Sequence, residues 1–167
     1  MSESSRLDEN VISMLRTYEI DHEILLIDPD YADTSEFCNK YQYKLEHSGN
    51  TIIVASKRGS KQYAACLVQA HTRLDVNKVV TRLMGIKRAS FASADETKEV
   101  TGMLVGGVTP FGLPSDMPIF VDEHIKDLDY IILGSGVRTS KIKVAGSELS
   151  KIPNLKFVPD LSAVKQT

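Results

Sequence analysis

Helical and strand-like segments interleave along this 167-residue chain, and the mixture predicts a mixed α/β (α+β) fold. Three observations carry that expectation. Apolar residues recur at helical spacing behind capping residues; short aliphatic runs too brief for helices lie between them; and the strands outnumber what a strict strand–helix alternation would supply. At this length the chain suits one domain, 1–167, closing around one hydrophobic centre.

In order, Leu7, Val11, Ile12 and Leu15 predict a first helix, and the aliphatic run Glu23 to Ile27 predicts a strand. Asp33 followed by Glu36 is a capping-box pattern for a second helix, with Phe37, Tyr41 and Leu45 along one side and an end near His47 to Gly49. Thr51 to Val54 and Tyr63 to Gln69 predict a hairpin turning at Lys57 to Ser60. Asp75 caps a helix carrying Val76, Val79, Val80, Leu83 and Met84, and Ser93 with Glu96 starts a short helix that stops near Gly102. Strand-like runs follow at Pro118 to Val121, Tyr130 to Leu133, Ile142 to Val144 and Lys156 to Val158, with a small helical turn from Gly146 to Ser150. The residues after Leu161 read as a frayed tail.

Composition narrows the function classes. No apolar run approaches the roughly 20 residues of a membrane span, and the start MSESSRLDEN lacks a basic and apolar secretory leader, so a cytoplasmic, reducing location is expected. A net charge of −2 argues against adhesion to a long phosphate backbone such as DNA. Basic residues do cluster at Lys57, Arg58 and Lys61, at Lys78, Arg82, Lys87 and Arg88, and at Arg138, Lys141 and Lys143. Each cluster taken alone reads as a solvated face.

The most informative segment is VGGVTPFGLP, Val105 to Pro114, whose glycines let a ligand approach the main chain while its prolines hold the path rigid. Such a loop can present amide N–H groups to an ester carbonyl or to the oxyanion formed when water attacks it. It carries neither a P-loop lysine nor dinucleotide-type glycine spacing. A second segment, Gly134, Ser135 and Gly136 followed by Arg138, reads on spacing alone as a strand-end turn. Cys38 and Cys66 sit within apolar patterns and read as core, and His22, His47, His71 and His124 are scattered without ligand spacing, so no metal or other cofactor is expected. Asp122 and Glu123 read first as a helix cap and second as a means of polarising water.

Taken in order, SFASADETKEVTGMLVGGVTPFGLP, PIFVDEHI, YIILGSGVRTSKIKV and FVPDLS closely resemble the YbaK family, which includes the editing (insertion) domain of prolyl-tRNA synthetase and free-standing aminoacyl-tRNA deacylases. The resemblance runs from about residue 50 to residue 162. It implies a bent, partly barrel-like mixed sheet flanked by helices, and trans-editing hydrolysis of mischarged aminoacyl-tRNA carrying a small amino acid. It makes Gly106 to Pro110 the family's Gly-x-x-x-Pro loop, with Gly106 and Gly107 at the reacting ester. Val108, Thr109, Pro110, Phe111 and Gly112 would then wall the substrate, and Gly134, Ser135, Gly136 and Arg138 would form the opposite rim. Many members carry a lysine just before the first hairpin strand; this chain has Asn50, which keeps hydrogen-bonding capacity without the charge. The implied partner is the acceptor end of aminoacyl-tRNA, with room for an aminoacyl-tRNA synthetase beside it and none for a membrane or DNA. Arg138 and the Lys57 to Lys61 turn are expected to help hold the acceptor stem. Asn50 also feeds a rival reading, a non-catalytic aminoacyl-tRNA or nucleotide-binding module; a metal hydrolase ranks last.

Overall fold

The computed structural model describes residues 8–165. Helix α1 (Glu9–Thr17) starts where Asp8 accepts a hydrogen bond from the Asn10 N–H and buries Val11, Ile12 and Leu15; Leu7 lies outside the described residues. Strand β1 (Glu23–Leu26) follows, then α2 (Thr34–Tyr41), β2 (Gly49–Ser56), β3 (Tyr63–Gln69) and β4 (Thr72–Leu74). A π-helical turn at Val76–Val80, capped by Asp75 on the Lys78 N–H, runs into α3 (Thr81–Met84). After β5 (Ala89–Phe91), α4 (Ala94–Thr101) begins at Ser93 and ends at Gly102, whose φ of +73° suits glycine. Residues 102 to 118 form the glycine and proline loop. Strands β6 (Ile119–Asp122), β7 (Ile131–Gly134), β8 (Ser140–Val144), β9 (Leu155–Val158) and β10 (Ser162–Val164) complete the chain.

The fold is the expected mixed α/β arrangement. Five strands form a sheet in the order β5-β2-β3-β6-β9, antiparallel on the β5 side and parallel across β3-β6-β9. A three-stranded antiparallel sheet, β1-β8-β7, joins it where Ser48 bridges to Ile132. Strand β3 explains why the centre is so apolar. Ala65 and Leu67 face the main core with Ile53, Ile119 and Val121, while Ala64, Cys66 and Val68 face a second cluster with Val54, Val80 and Phe120. A strand covered on both faces reads as a continuous apolar run.

Two expectations are corrected. Helix α2 ends at Tyr41 rather than near His47, because Gln42 turns left-handed (φ 61°) and caps back onto the Cys38 carbonyl. Leu45 to His47 is a separate 3₁₀ turn. Residues 162 to 165 are no frayed tail: Ser162 to Val164 pairs with Thr72 to Leu74, and the Lys165 N–H bonds to the His71 carbonyl; residues 166 and 167 lie outside the described residues. Among the described residues no helix is long and apolar enough to cross a membrane.

A candidate active site between two glycine segments

The two glycine segments pack backbone to backbone. The Gly136 N–H donates to the Gly107 carbonyl at 2.6 Å. A Cβ on Gly107 would stand 2.6 Å from the Val137 carbonyl oxygen, and one on Gly134 would stand 2.5 Å from that of Val108. Real side chains do not fit at such distances, so glycine at both positions is what lets the segments touch. Helix α1 backs them: the Asp8 N–H bonds to the Ser135 carbonyl, and a Cβ on Gly112 would meet the α1 backbone at 2.7 Å.

On the other side of this contact lies a cavity of about 470 Å³, lined by Gly106 and Val108 of the first segment, Gly134 of the second, Asn50 and Thr51 of β2, Asp33 and Thr34 at the head of α2, and Lys141 of β8. Exposed Phe91 and Val105 also belong to its wall. Among the described residues, the Gly106 and Val108 N–H groups have no hydrogen-bond acceptor. The Thr34 hydroxyl donates to Asn50 Oδ1 at 2.5 Å, which leaves the Asn50 amide nitrogen with both donors unspent among the described residues. Unspent donors in a concave wall are the groups that a carbonyl oxygen or oxyanion would recruit.

The other expected site residues stand behind that wall. Thr109 and Phe111 are fully buried, Phe111 in the main core. Pro110 is buried, and Gly112 lies against α1, its N–H donating to Met14 Sδ at 3.2 Å. Ser135 spends its hydroxyl within the turn, donating to the Ser140 carbonyl at 2.9 Å. Arg138 is a clamp: its guanidinium donates to Asp33 Oδ1 at 3.0 Å, to the Val105 carbonyl at 2.7 Å and to the Pro29 carbonyl at 2.9 Å, tying the glycine loop to the approach of α2. In the hairpin turn, Lys61 reaches back to the Ser56 carbonyl and to Glu96, 3.6 Å away.

Sequence reasoning missed Lys141, grouped there with Arg138 and Lys143 as a solvated face. Lys143 does reach outward over the Tyr130 ring, but Lys141 is only 5% exposed and donates to the Gly106 carbonyl at 2.9 Å. Burial pushes its ammonium down to about 8, against an opposing pull from Asp33. Strand alternation could not have flagged it, since with Ile142 in the core it puts Lys141 and Lys143 on one shared face; only the pairing of Lys141 with Gly134 in the folded sheet sets it apart. Asp33 reads in the sequence only as a helix start, and Thr34 beside it carries no signal of its own. Both cysteines are buried, and burial pushes the Cys66 thiol up to about 12, far from a nucleophile's range. Asp122 is a cap and a tether: it accepts from the His124 N–H at 3.0 Å and from the Ser162 hydroxyl.

Comparison with known proteins identifies the family and the fold. The family model for the aminoacyl-tRNA editing domain matches residues 28–152. The chain is similar to the uncharacterized protein YwhH of Bacillus subtilis, with 33% identity over 96 residues covering 58% of this chain and 60% of that one. It is also similar to a proline–tRNA ligase of Nautilia profundicola, with 28% identity over 141 residues covering 83% of this chain and 24% of the ligase. The matches thus span less than two thirds of either relative's length. A crystal structure of a candidate trans-editing enzyme for prolyl-tRNA synthetase shares the fold, with a TM-score of 0.76 at 20% identity over all of this chain and 99% of that one. With three quarters of its length inside the family model, Gly106 and Gly134 of the cavity wall included, the chain belongs to the aminoacyl-tRNA editing domain family.

Proposed function

We propose that this protein, acting as one cytoplasmic domain, hydrolyses the ester bond of mischarged aminoacyl-tRNA carrying a small amino acid. The observation that carries the reading is the pair of unspent N–H groups, Gly106 and Val108, in the wall of a cavity that also holds the Asn50 amide. Membership of the editing family and the likeness to part of a proline–tRNA ligase support the same substrate class.

An aminoacyl ester is already activated, so a site that fixes it and stabilises developing charge can supply much of the rate without a covalent nucleophile. Water adds to the ester carbonyl carbon, and the carbonyl π pair moves onto oxygen, where the Gly106 and Val108 amides stabilise it. Collapse breaks the ester C–O bond and expels the ribose oxygen, which takes up the proton given up by the attacking water, leaving free amino acid and deacylated tRNA. Selection would follow from volume: a small aminoacyl group enters beside Gly134, and a larger cognate one meets the packed backbone of the two segments. Exclusion by clash discriminates more strongly than one added methylene in an apolar pocket.

Incubating the protein with tRNAs charged with glycine, alanine, serine, cysteine or proline, and scoring ester loss against buffer, tests the reading. Accelerated release of at least one small amino acid is expected. Tight binding of charged tRNA without release would instead establish a binding module, and sensitivity to chelators would point to a metal hydrolase.

A further inference from the structure

Lys141 is the one cation of the cavity wall whose burial is nearly complete, and nothing so far described requires it there. Its position on β8 lies between Leu25 of β1 and Gly134 of β7, where an apolar residue would satisfy the fold. Instead the ammonium lies 5.6 Å from the centre of the Phe37 ring and gives one of its three N–H donors to the Gly106 carbonyl. Among the described residues no carboxylate forms an ion pair with it, and its other two donors have no acceptor. Asp33, the acid that faces it from the head of α2, is held by Arg138; Cys38 faces it from the same helix. A buried charge without an ion-pair partner is costly, and where it borders a cavity with spare donors it marks a place where an anion completes the shell.

We infer that Lys141 is the charged donor of this cavity, and that its free N–H groups bind an anionic oxygen of the substrate beside the Gly106 loop. The inference rests on the deacylase reading. Two substrate oxygens have this chemistry: the 5′-phosphate of the terminal nucleotide, and the oxyanion that forms on the ester carbonyl as water adds. Both would meet a donor already tied to the loop that supplies the Gly106 and Val108 amides.

The test compares wild type, Lys141→Arg and Lys141→Met on the aminoacyl-tRNA that wild type hydrolyses fastest, and on the matching 3′-aminoacyl-adenosine with and without a 5′-phosphate. Lys141→Met should lose on the order of 100-fold in kcat/KM, while Lys141→Arg, which keeps the charge, retains most of the rate. Above pH about 8 the enzyme-dependent wild-type rate should fall away from that of Lys141→Arg, as the ammonium of the wild type deprotonates. Loss confined to KM, and only with the phosphorylated substrate, assigns the phosphate; loss in kcat with both assigns the oxyanion. Wild-type kcat, KM and pH profile in Lys141→Met would overturn the inference. Should wild type release no amino acid at all, the deacylase reading fails by itself. Binding of adenosine 5′-monophosphate then decides the lysine: weaker binding to Lys141→Met supports it, and equal binding overturns it.

Discussion

Burying Lys141 against the Phe37 ring has a thermodynamic consequence separable from any activity. Its ammonium titrates near 10.5 when solvated and at about 8 in the fold. A folded value below the unfolded one means that the native state holds fewer protons between those values. The destabilisation is therefore fully present below pH 8 and is relieved as the pH climbs to about 10.5. Methionine fills similar volume without the charge, so Lys141→Met should be more stable than wild type at pH 7 by about 1–3 kcal/mol, with the difference shrinking above pH 8. Denaturant unfolding at pH 7 and pH 10 measures this; a less stable variant at pH 7 would contradict it. His124 titrates with the opposite sign. Its hydrogen bond to Asp122 raises its value, so its contribution is present below the ordinary histidine range and is lost as the pH rises through the folded value. His124→Ala should flatten the stability profile between pH 6 and pH 8 relative to wild type. Residues of this kind were the least legible in the sequence, because a lysine in a basic run looks the same whether it reaches solvent, as Lys143 does, or turns inward, as Lys141 does.

The elements themselves were easier to read, and the reason is local. Asp8, Asp75, Ser93 and Asp122 each accept a backbone N–H two or three residues ahead, so those helix and turn starts are written in side chains a few positions apart. Where a cap serves a distant partner, the local signal misleads. Asp33 makes no side-chain cap for α2, because its carboxylate goes to Arg138; Glu96 does not close a capping box, because it accepts from the Tyr63 hydroxyl at 2.7 Å. The three-residue strands β4, β5 and β10 left no periodic trace, since each is defined by its partner strand. The glycine segments were legible as unusual, but not the pairing that gives them meaning. Gly134→Ala would place a methyl at 2.5 Å from the Val108 oxygen and 2.6 Å from the Gly107 oxygen. It should cost about 1–3 kcal/mol in stability by overpacking and should depress deacylation more than thermal stability predicts, because the displaced atoms carry the amide wall. Unchanged turnover in a folded Gly134→Ala protein would show that the contact does not shape the site.

At the scale of the molecule, the fold brings four distant parts of the chain together on one cavity. Asp33 and Thr34, Asn50 and Thr51, Gly106 and Val108, and Gly134 and Lys141 arrive there from four stretches of sequence. Strand β10 pairs with β4 beside Leu74 and Leu161 of the second cluster, and Ser162 fastens it to Asp122. Deleting residues 162 to 167 should therefore lower the thermal midpoint, and it also removes Lys165 from the cavity rim; a midpoint equal to that of wild type would mean the pairing contributes nothing. The mixed α/β class was readable from patterning, whereas the joining of sheets through Ser48 and Ile132 was not, since a single bridge has no sequence signature. The proposed function turns on where the charged acceptor end binds. Titrating the protein with a non-hydrolysable 3′-aminoacylamino-adenosine and following backbone amide chemical shifts locates it directly. The largest changes should fall on Asn50, Gly106, Val108 and Gly134, whereas changes centred on Asn10, Met14 and Leu113, which line a separate concavity behind the glycine loop, would contradict the account.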